Sequence, residues 1–310
     1  ECDFAYNATH MALQWDALAT GDTRIMLAAQ PVLGQKPHSG SWITYTRCHD
    51  DIGLGYEDEM IVQAGYNPYE HRRFLQQWYS GAWPASDARG ALFSFNPKTG
   101  DARISGTLAS LCGLEKAVEE KNAAAIEQAV QKILLMQAHS FFTGGLPMLF
   151  YGDEVGYTND YSFEQDPAKS YDNRWMHRPL INWEKNNRYT EAGTVEQKIF
   201  AGTKKLLAIR GALDVVSDSG NIQWASAHNI HVACFVRTSA TQNLFCVYNF
   251  SNQAAYLTWY AFKEHGINPQ TLHDHWAGIQ HRVGADHEYL VLQPYQFMLL
   301  EPVKEKIKRA

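Results

Sequence analysis

The 310-residue sequence is poor in cysteine, and its cysteines follow no binding pattern. The five thiols are scattered and odd in number, and no two are spaced as Cys-x-x-Cys. We therefore expect neither a disulfide framework nor a cysteine-based zinc site. The sequence also lacks a Ser-His-Asp ordering, a glycine-rich phosphate loop and an HExxH motif, so we predict no metal and no organic cofactor.

Excess positive charge and long apolar runs are also lacking. Lysine and arginine total 27 against 33 acidic residues, a net charge of −6, which leaves no basic footprint for nucleic acid. No apolar run approaches the roughly 18 residues of a membrane span. We expect neither nucleic acid nor a membrane as a partner. The sequence starts at Glu1 without a signal-like segment and has its first methionine at Met11, so we expect part of a longer protein and predict no localisation.

Aromatic residues are abundant. They make up 13% of the chain, with 9 Trp and 16 Tyr. Such rings act as flat apolar platforms with polar edges in sugar-binding clefts, although large cores use them as well. The length is sufficient for a sizeable core and for more than one domain. The composition is therefore compatible with a carbohydrate ligand but does not by itself indicate one.

The first two thirds of the sequence alternate strand and helix signals. The runs "ECDFAYN" (1–7), "SWITYTR" (41–47) and "LPMLFYGDE" (146–154) are predicted as strands. Helical spacing follows each run, which predicts βα units around a parallel sheet. Polar side chains at two strand ends match the place where a (β/α)8 barrel keeps its chemistry, yet only about three of the eight units are present.

Capping residues predict where the helices begin. Thr9 is the expected N-cap of the first helix, and Asn122 that of a long helix that stops at "TGG" (143–145). Thr194 and Gln197 form a capping-box pattern for a helix that ends near Gly211. The stretch from 54 to 119 is less regular, and we interpret it as an inserted subdomain.

Alternation of apolar and polar residues dominates the C-terminal third. The runs "NIHVACFVRT", "NLFCVYNF", "AAYLTWY" and "YLVLQPYQFMLLE" predict an antiparallel β domain. We therefore divide the chain into a partial barrel at 1–53 and 120–212, an inserted subdomain at 54–119 and a C-terminal β-sandwich at 213–310.

The stretch "YTRCHDDIGLGYEDEM" (45–60) carries the first candidate site. His49, Asp50 and Asp51 directly follow a strand. A carboxylate there can stabilise an oxocarbenium-like transition state, and a neighbouring imidazole can donate hydrogen bonds to sugar hydroxyls. The alternative is that both aspartates cap a turn, a common role of this residue.

Two further groups of charged residues are candidates of lower specificity. Asp153 and Glu154 end the next strand run, but adjacent residues on an extended chain point opposite ways, so a loop-holding role is favoured. In "YDNRWMHRP" (171–179), Arg174 could close a pocket by pairing with a carboxylate, or the loop could simply lie at the surface. Arg72 and Arg103 are compatible with plain solvated charges.

Taken together, "YTRCHDDIG", "GGLPMLFYGDEVGYTNDYSFEQDPAK" and "DNRWMHRP" resemble the sucrose-acting branch of the α-amylase superfamily (glycoside hydrolase family 13), closest to the amylosucrases. The resemblance runs over most of the chain and is most specific between residues 144 and 179. It implies the C-terminal part of a (β/α)8 barrel, about strands six to eight with an inserted subdomain, followed by a β-sandwich. The family's nucleophilic aspartate and acid/base glutamate lie on earlier strands.

The resemblance also implies roles for individual residues. Asp50 matches the carboxylate that stabilises the transition state, and His49 its sugar-binding neighbour. Arg174 matches the arginine that closes the pocket beneath the glucosyl ring. The residues that match the fructosyl or acceptor side are Asp51, Arg103 and Arg72.

The implied parent activity is retaining α-glucosyl transfer from sucrose to a glucan or to water, with sucrose and α-glucan oligosaccharides as ligands. The missing N-terminal half of the same protein is then the expected partner, and the chain alone is expected to be inactive. Two alternatives stay open, a starch-type α-glucan hydrolase of the same superfamily and a non-catalytic carbohydrate-binding fragment.

Overall fold

The computed structural model describes residues 2–33, 39–217, 222–266, 270–284 and 288–303. Strands and helices alternate in the first two thirds of this part, and strands dominate the last third. The helices are α1 Ala8–Thr20, α2 Arg24–Leu33, α3 Asp58–Gln63, α4 Pro68–Tyr79, α5 Leu108–Leu111, α6 Leu114–Glu119, α7 Ala123–Phe142, α8 Trp183–Asn187, α9 Val195–Ala212 and α10 Tyr260–Lys263.

The strands are short in the first two thirds and longer in the last third. They are β1 Phe4–Tyr6, β2 Ser41–Thr44, β3 Ala91–Phe93, β4 Arg103–Ser105, β5 Leu146–Pro147, β6 Ile222–Ser226, β7 Val232–Thr238, β8 Asn243–Asn249, β9 Ala255–Thr258, β10 Thr271–Asp274, β11 Ile279–Arg282, β12 Tyr289–Leu292 and β13 Phe297–Pro302. Short 3-10 helices lie at Asp153–Val155, Tyr161–Gln165, Asn173–His177, Arg188–Thr190 and Asp214–Val216.

A three-stranded parallel sheet organises the first part of the chain. Its order is β1-β2-β5, with Ala5 opposite Trp42 and Ile43 opposite Leu146. Parallel strands place their carboxyl ends at one edge of the sheet, so the segments that follow β1 and β2 meet there. This edge carries the candidate site.

The sheet strands are shorter than the sequence predicts. The strand predicted for 41–47 pairs only as far as Thr44, and the run 146–154 pairs only at Leu146 and Pro147. Gly152 has a left-handed backbone (φ 86°) that turns the chain into a 3-10 helix. A side chain at Gly145 (φ 72°) would overlap the carbonyl of Trp42, so glycine is required where the chain enters β5.

Side-chain caps set the starts of the principal helices. The prediction of Thr9 as the cap of α1 is wrong, because Asn7 accepts the hydrogen bond from His10 N–H. Asn122 caps α7 through Ala125 N–H, and Thr194 caps α9 through Gln197 N–H, as predicted. Each helix thereby has one of its free N–H donors satisfied.

The stretch 54–119 is more regular than the sequence indicated. It holds the helices α3 to α6 and the antiparallel hairpin β3–β4. Asn67 caps α4 through Glu70 N–H, and Pro68 stands in its first turn. Ile52 pairs with Ile104, which attaches the hairpin to the segment that follows β2.

The C-terminal part is antiparallel, with a six-stranded sheet in the order β11-β10-β13-β8-β7-β6 and a two-stranded sheet β12-β9. Strand β7 is buried on both faces. Phe235 packs in the core shared with α1 and α7, while its neighbours Cys234 and Val236 pack in a second core with Leu257. Because successive side chains of a strand point to opposite faces, β7 contributes side chains to both cores. Among the described residues, no helix combines the length and apolar character that crossing a membrane requires.

Candidate functional site

Five segments line one cleft at the carboxyl edge of the parallel sheet. They are the end of β1 with the start of α1, the segment after β2, helix α4, the β3–β4 hairpin and the loop around the 3-10 helix Asn173–His177. The cleft has a volume of about 740 Å³. All six residues predicted from the sequence line it, namely His49, Asp50, Asp51, Arg72, Arg103 and Arg174.

Arg174 is held with its side chain across the cleft. Its Nε and Nη2 atoms donate to the two oxygens of Asp172 at 2.9 and 2.8 Å. Its Nη1 atom lies 3.2 Å from Oδ1 of Asp50 and 3.8 Å from Oδ1 of Asp51. The hydrogen bond from Arg174 lowers the pKa of Asp172. The guanidinium also lies 4.7 Å from the ring centroid of Phe93, so it is fixed on several sides.

The two adjacent aspartates differ in what they present to the cleft. The side chain of Asp50 is 50% exposed and has Arg178 Nη2 at 3.7 Å in addition to Arg174. The side chain of Asp51 is only 5% exposed and accepts from Arg103 Nη1 at 3.3 Å. Both carboxylates therefore contact guanidinium groups, and Asp50 is the one with a free face toward a ligand.

His49 and Arg103 are largely exposed to the cleft. Nε2 of His49 lies 3.3 Å from Oδ2 of Asp50, and the side chain is 63% exposed. Arg103 contacts Asp51 through one nitrogen, and its side chain is 61% exposed. Both side chains keep hydrogen-bonding capacity for hydroxyl groups of a ligand.

Arg72 is placed differently from the other five residues. Its Nη1 atom donates to Asp58 at 2.6 Å, and Nη2 donates to the carbonyl of Tyr56 at 2.7 Å. Its Nε atom faces the carbonyl of Leu54 at 3.4 Å. These contacts bind α4 to the loop 54–58, which forms part of the cleft wall. A direct contact of Arg72 with substrate remains a prediction.

A buried ion pair beneath the cleft was missed by the sequence analysis. Arg47 donates through Nε to Oδ1 of Asp153 at 2.9 Å, and both side chains are almost fully buried. A further bond runs from Nη1 of Arg47 to the carbonyl of His177 at 3.0 Å. Burial raises the pKa of Asp153 to about 6. Asp153 thus holds the loop after β5, the role that sequence reasoning favoured for it.

An aromatic pair was also not singled out from the sequence. Tyr6 at the end of β1 and Tyr45 after β2 line the cleft, with ring centroids 5.4 Å apart in an edge-to-face arrangement. Tyr6 is 54% exposed. An exposed ring beside carboxylates and guanidinium groups suits a sugar ring, which has apolar faces and polar edges.

In the part of the chain that the structure describes, one group of side chains offers ligand atoms close enough together for a metal ion. Candidate ligand atoms of Cys48, His49 and Asp50 lie within 4.8 Å of one another. Arg174 and Arg178 stand beside Asp50, however, and their positive charges oppose a cation. Burial also raises the pKa of Cys48, which favours the neutral thiol over the thiolate that a metal prefers. The geometry gives no support to a metal centre here.

No model of a known protein family matches the sequence. Solved structures with a similar fold include AmyP in complex with maltose, which is 11% identical, has a TM-score of 0.59 and aligns with 99% of this chain and 51% of its own length. An AmyP variant in complex with maltotriose is 12% identical, with a TM-score of 0.59 and coverages of 97% and 50%. Sucrose 6F-phosphate phosphorylase from Thermoanaerobacter thermosaccharolyticum is 14% identical, with a TM-score of 0.58 and coverages of 90% and 48%.

These neighbours are enzymes of the α-amylase superfamily, which have a (β/α)8 barrel and a sheet-rich C-terminal part. The present chain shares the fold of about half of such an enzyme, since it spans about half the length of each structure. At this level of sequence identity the similarity concerns the fold alone.

Proposed function

We propose that the chain forms one wall of the sugar-binding cleft of a retaining α-glucosyl enzyme that acts on sucrose. The glucosyl unit would pass to a glucan or to water, with release of fructose. The observation that carries the proposal is the convergence of His49, Asp50, Asp51, Arg103 and Arg174 on one cleft from three separate segments. The neighbours named for maltose, maltotriose and a sucrose phosphate support carbohydrate as the ligand class.

The proposed roles follow from the exposure and charge of each group. Asp50, with its open face, stabilises positive charge that develops on the glucosyl ring. His49 donates to a hydroxyl of the same ring, and Arg174 closes the pocket beneath it. The pair of Asp51 and Arg103 faces the fructosyl or acceptor side.

A retaining mechanism needs a nucleophile and a proton donor about 5 Å apart that flank the scissile bond. Asp50 and Asp51 both contact Nη1 of Arg174, so their carboxylates belong to one wall. Asp101 is the third carboxylate that lines the cleft in the described residues. We therefore propose that the nucleophile and the acid/base lie on further βα units outside this chain.

Exposed apolar side chains at both outer strands of the parallel sheet support that proposal. Phe4 and Tyr6 on β1 are 53% and 54% exposed, and Leu146 on β5 is 53% exposed. Strands of a closed barrel have neighbours on both sides. We propose that β1, β2 and β5 are about strands six to eight of such a barrel, and that an N-terminal half of the same protein supplies the remaining strands.

Two other functions are each favoured by one observation. A starch-type α-glucan hydrolase is favoured by the fold shared with AmyP, which was solved with maltose and maltotriose. Arg174 argues against it, because a side chain that closes the pocket favours a terminal glucosyl group over an internal bond. A non-catalytic carbohydrate-binding protein is favoured by the position of Asp50 and Asp51 on the same wall.

Calorimetric titration of the chain with sucrose and with maltotriose tests the proposal. Binding should be lost or strongly weakened in Asp50→Asn and Arg174→Ala. It should be retained in the matched controls Asp214→Asn and Arg282→Ala, whose side chains are exposed outside the cleft. Equal heats for the cleft variants and the controls would reject a sugar site in this cleft.

The alternatives are separated by products, measured on a polypeptide that includes the remaining βα units. Release of fructose from sucrose supports the proposed activity, whereas cleavage of internal bonds in amylose supports a starch-type hydrolase. Sugar binding without any turnover supports the non-catalytic alternative.

A further inference from the structure

His177 lies where three of the segments that line the cleft meet. Its side chain is buried, and the residue as a whole is 1% exposed. Nδ1 lies 3.1 Å from the backbone nitrogen of Gly106, and Nε2 lies 3.0 Å from the carbonyl oxygen of His49. One ring therefore connects the β3–β4 hairpin, the segment after β2 and its own loop.

The two partners determine the protonation state of the ring. The backbone N–H of Gly106 can only donate, so Nδ1 of His177 has to accept. The carbonyl of His49 can only accept, so Nε2 carries the proton and donates. Both bonds exist together only in the neutral imidazole with its proton on Nε2.

The bond to His49 acts on the backbone of the catalytic candidates. The carbonyl of His49 and the backbone nitrogen of Asp50 belong to the same planar peptide group. The direction of the carbonyl therefore determines the orientation of that plane where Asp50 begins. Arg178 donates to the same carbonyl through Nε at 2.7 Å. Two donors therefore hold the peptide from which the side chains of His49 and Asp50 project.

The bond to Gly106 acts on the acceptor side of the cleft. Gly106 directly follows β4, whose first residue is Arg103. In the same loop as His177, Asn173 accepts from Ser105 Oγ at 3.0 Å. A side chain at Gly106 would collide with Leu111, so the hairpin sits tightly in place. His177 and Asn173 thereby fix the hairpin that presents Arg103 to Asp51.

The surroundings of His177 also keep the ring neutral. Burial is the principal cause that lowers its pKa to about 4, and the charges of Arg47, Arg178 and Arg174 act in the same direction. The bond to the His49 carbonyl opposes this shift. Asp153 also lies nearby, paired with Arg47. A second proton on Nδ1 would remove the acceptor for Gly106 N–H.

We propose that His177 is a positioning residue, whose neutral Nε2-protonated ring orients the His49–Asp50 peptide and the Arg103 hairpin toward one bound sugar. The positions that His177 gives to the His49–Asp50 peptide and to the hairpin concern the structure alone. The effect of these positions on sugar binding rests on the proposed function. No direct contact with the ligand is required, because His177 acts through the backbone of His49 and Gly106.

The variants His177→Gln and His177→Phe separate hydrogen bonding from ring volume. Glutamine offers one acceptor and one donor and can replace both bonds, whereas phenylalanine fills the space without either. The measurements are the imidazole 15N shifts of the wild type, the side-chain 13C shift of Asp50, the amide shifts of residues 48–51 and 103–106, and the affinity for sucrose. His265→Phe, with a partly buried ring in the C-terminal part, is the control.

In the wild type at neutral pH we expect the proton on Nε2. In His177→Gln we expect unchanged Asp50 shifts. In His177→Phe we expect displaced shifts of Asp50 and of residues 103–106, together with about tenfold weaker sucrose binding. A proton on Nδ1 would overturn the proposal even if the Phe variant does not fold. Wild-type Asp50 and 103–106 shifts in a folded Phe variant would overturn it as well. If no form binds sucrose while the shifts respond as expected, the proposed function fails and the positioning role stands.

Discussion

Arg174 and Asp50 are 124 residues apart in the sequence, and Nη1 of the arginine lies 3.2 Å from Oδ1 of the aspartate. The carboxylate is half exposed, and pairs of this kind contribute only about 0–1 kcal/mol to stability. The contact therefore does little to hold the fold. It places a fixed positive charge beside a carboxylate with an open face, an arrangement that suits a ligand site.

Replacement of Asp50 by Asn should affect activity far more than stability. In a polypeptide that includes the remaining βα units, the loss of a charge contact to the transition state costs about 3–5 kcal/mol, or several orders of magnitude in turnover on sucrose. Thermal unfolding should change by no more than about 1 kcal/mol, because the pair with Arg174 is exposed. Asp214→Asn is the control. Turnover within a few-fold of the wild type would contradict the role of Asp50.

Replacement of Arg174 by Ala should weaken the use of sucrose and leave the far-ultraviolet circular dichroism unchanged. The reason is that the guanidinium, which we propose closes the pocket beneath the glucosyl ring, lies 3.2 Å from Asp50 and pairs with Asp172 at 2.8 Å. Arg282→Ala should behave as the wild type. The assignment is wrong if internal bonds of amylose are cut equally well by the wild type and by Arg174→Ala.

Replacement of Asp153 by Ala should destabilise the fold, in contrast to the cleft variants. Alanine would remove both oxygens that accept from Arg47 and leave the guanidinium buried without its carboxylate partner, and breaking a buried pair costs about 3–5 kcal/mol. Urea unfolding of Asp153→Ala and of the exposed control Asp214→Ala measures the difference. A loss below about 1 kcal/mol would show that solvent reaches the pair.

Acidification should lower the free energy of unfolding between about pH 6.5 and pH 4. Burial lowers the pKa of His10 and of His177 to about 4 and that of His139 well below its usual value. The unfolded chain, with histidine pKa values near 6.5, then binds more protons, so stability is full above that pH and falls below it. The raised pKa of Asp153 acts in the opposite direction, but it is one group against three.

The pH prediction is checked by the urea midpoint at a series of pH values from 7 to 4.5. Each histidine contributes up to about 1.4 kcal/mol per pH unit, before the opposing carboxyl is subtracted. A midpoint that stays constant over this range would show that the imidazoles are solvated in the folded protein.

The chain by itself should have no glycosidase activity, because Asp50 and Asp51 lie on one wall of the cleft and the proposed nucleophile and acid/base belong to further βα units. The strands with an open edge should also be the less protected ones. We expect amides of the outer strands β1 and β5 to exchange faster than those of β7 and β8, which lie inside the six-stranded sheet. Measurable sucrose turnover, together with slow exchange across residues 41–53 and 122–154, would mean that no further βα units are needed.

Local signals in the sequence predicted much of the fold. Asn122 and Thr194 were identified as caps because a capping side chain acts on an N–H three residues away, and the C-terminal strands show the period of a half-buried sheet. The extent of β5 could not be predicted, since the run from 146 to 154 leaves the sheet after Pro147, and the contact of Asp153 with Arg47 joins positions 106 residues apart.

The cleft residues were found through the resemblance rather than through their pattern alone. Asp50 and Arg174 stand in recognisable motifs, whereas Arg47 and His177 carry no local signal of their role. Their partners lie 106 and 128 residues away in the sequence, so only the closed fold shows them. The same holds for Arg72, whose contacts with the loop 54–58 depend on where α4 packs.

The central claim, that this cleft binds sugar, is tested most directly by mapping sucrose onto the labelled chain by amide chemical shifts at millimolar ligand. We predict that the largest changes fall at His49, Asp50, Asp51, Arg103 and Arg174, with the tyrosines of the cleft also affected. They should disappear in Arg174→Ala and persist in Arg282→Ala. An absence of saturable changes at these residues, or changes confined to another surface of the described chain, would contradict the account.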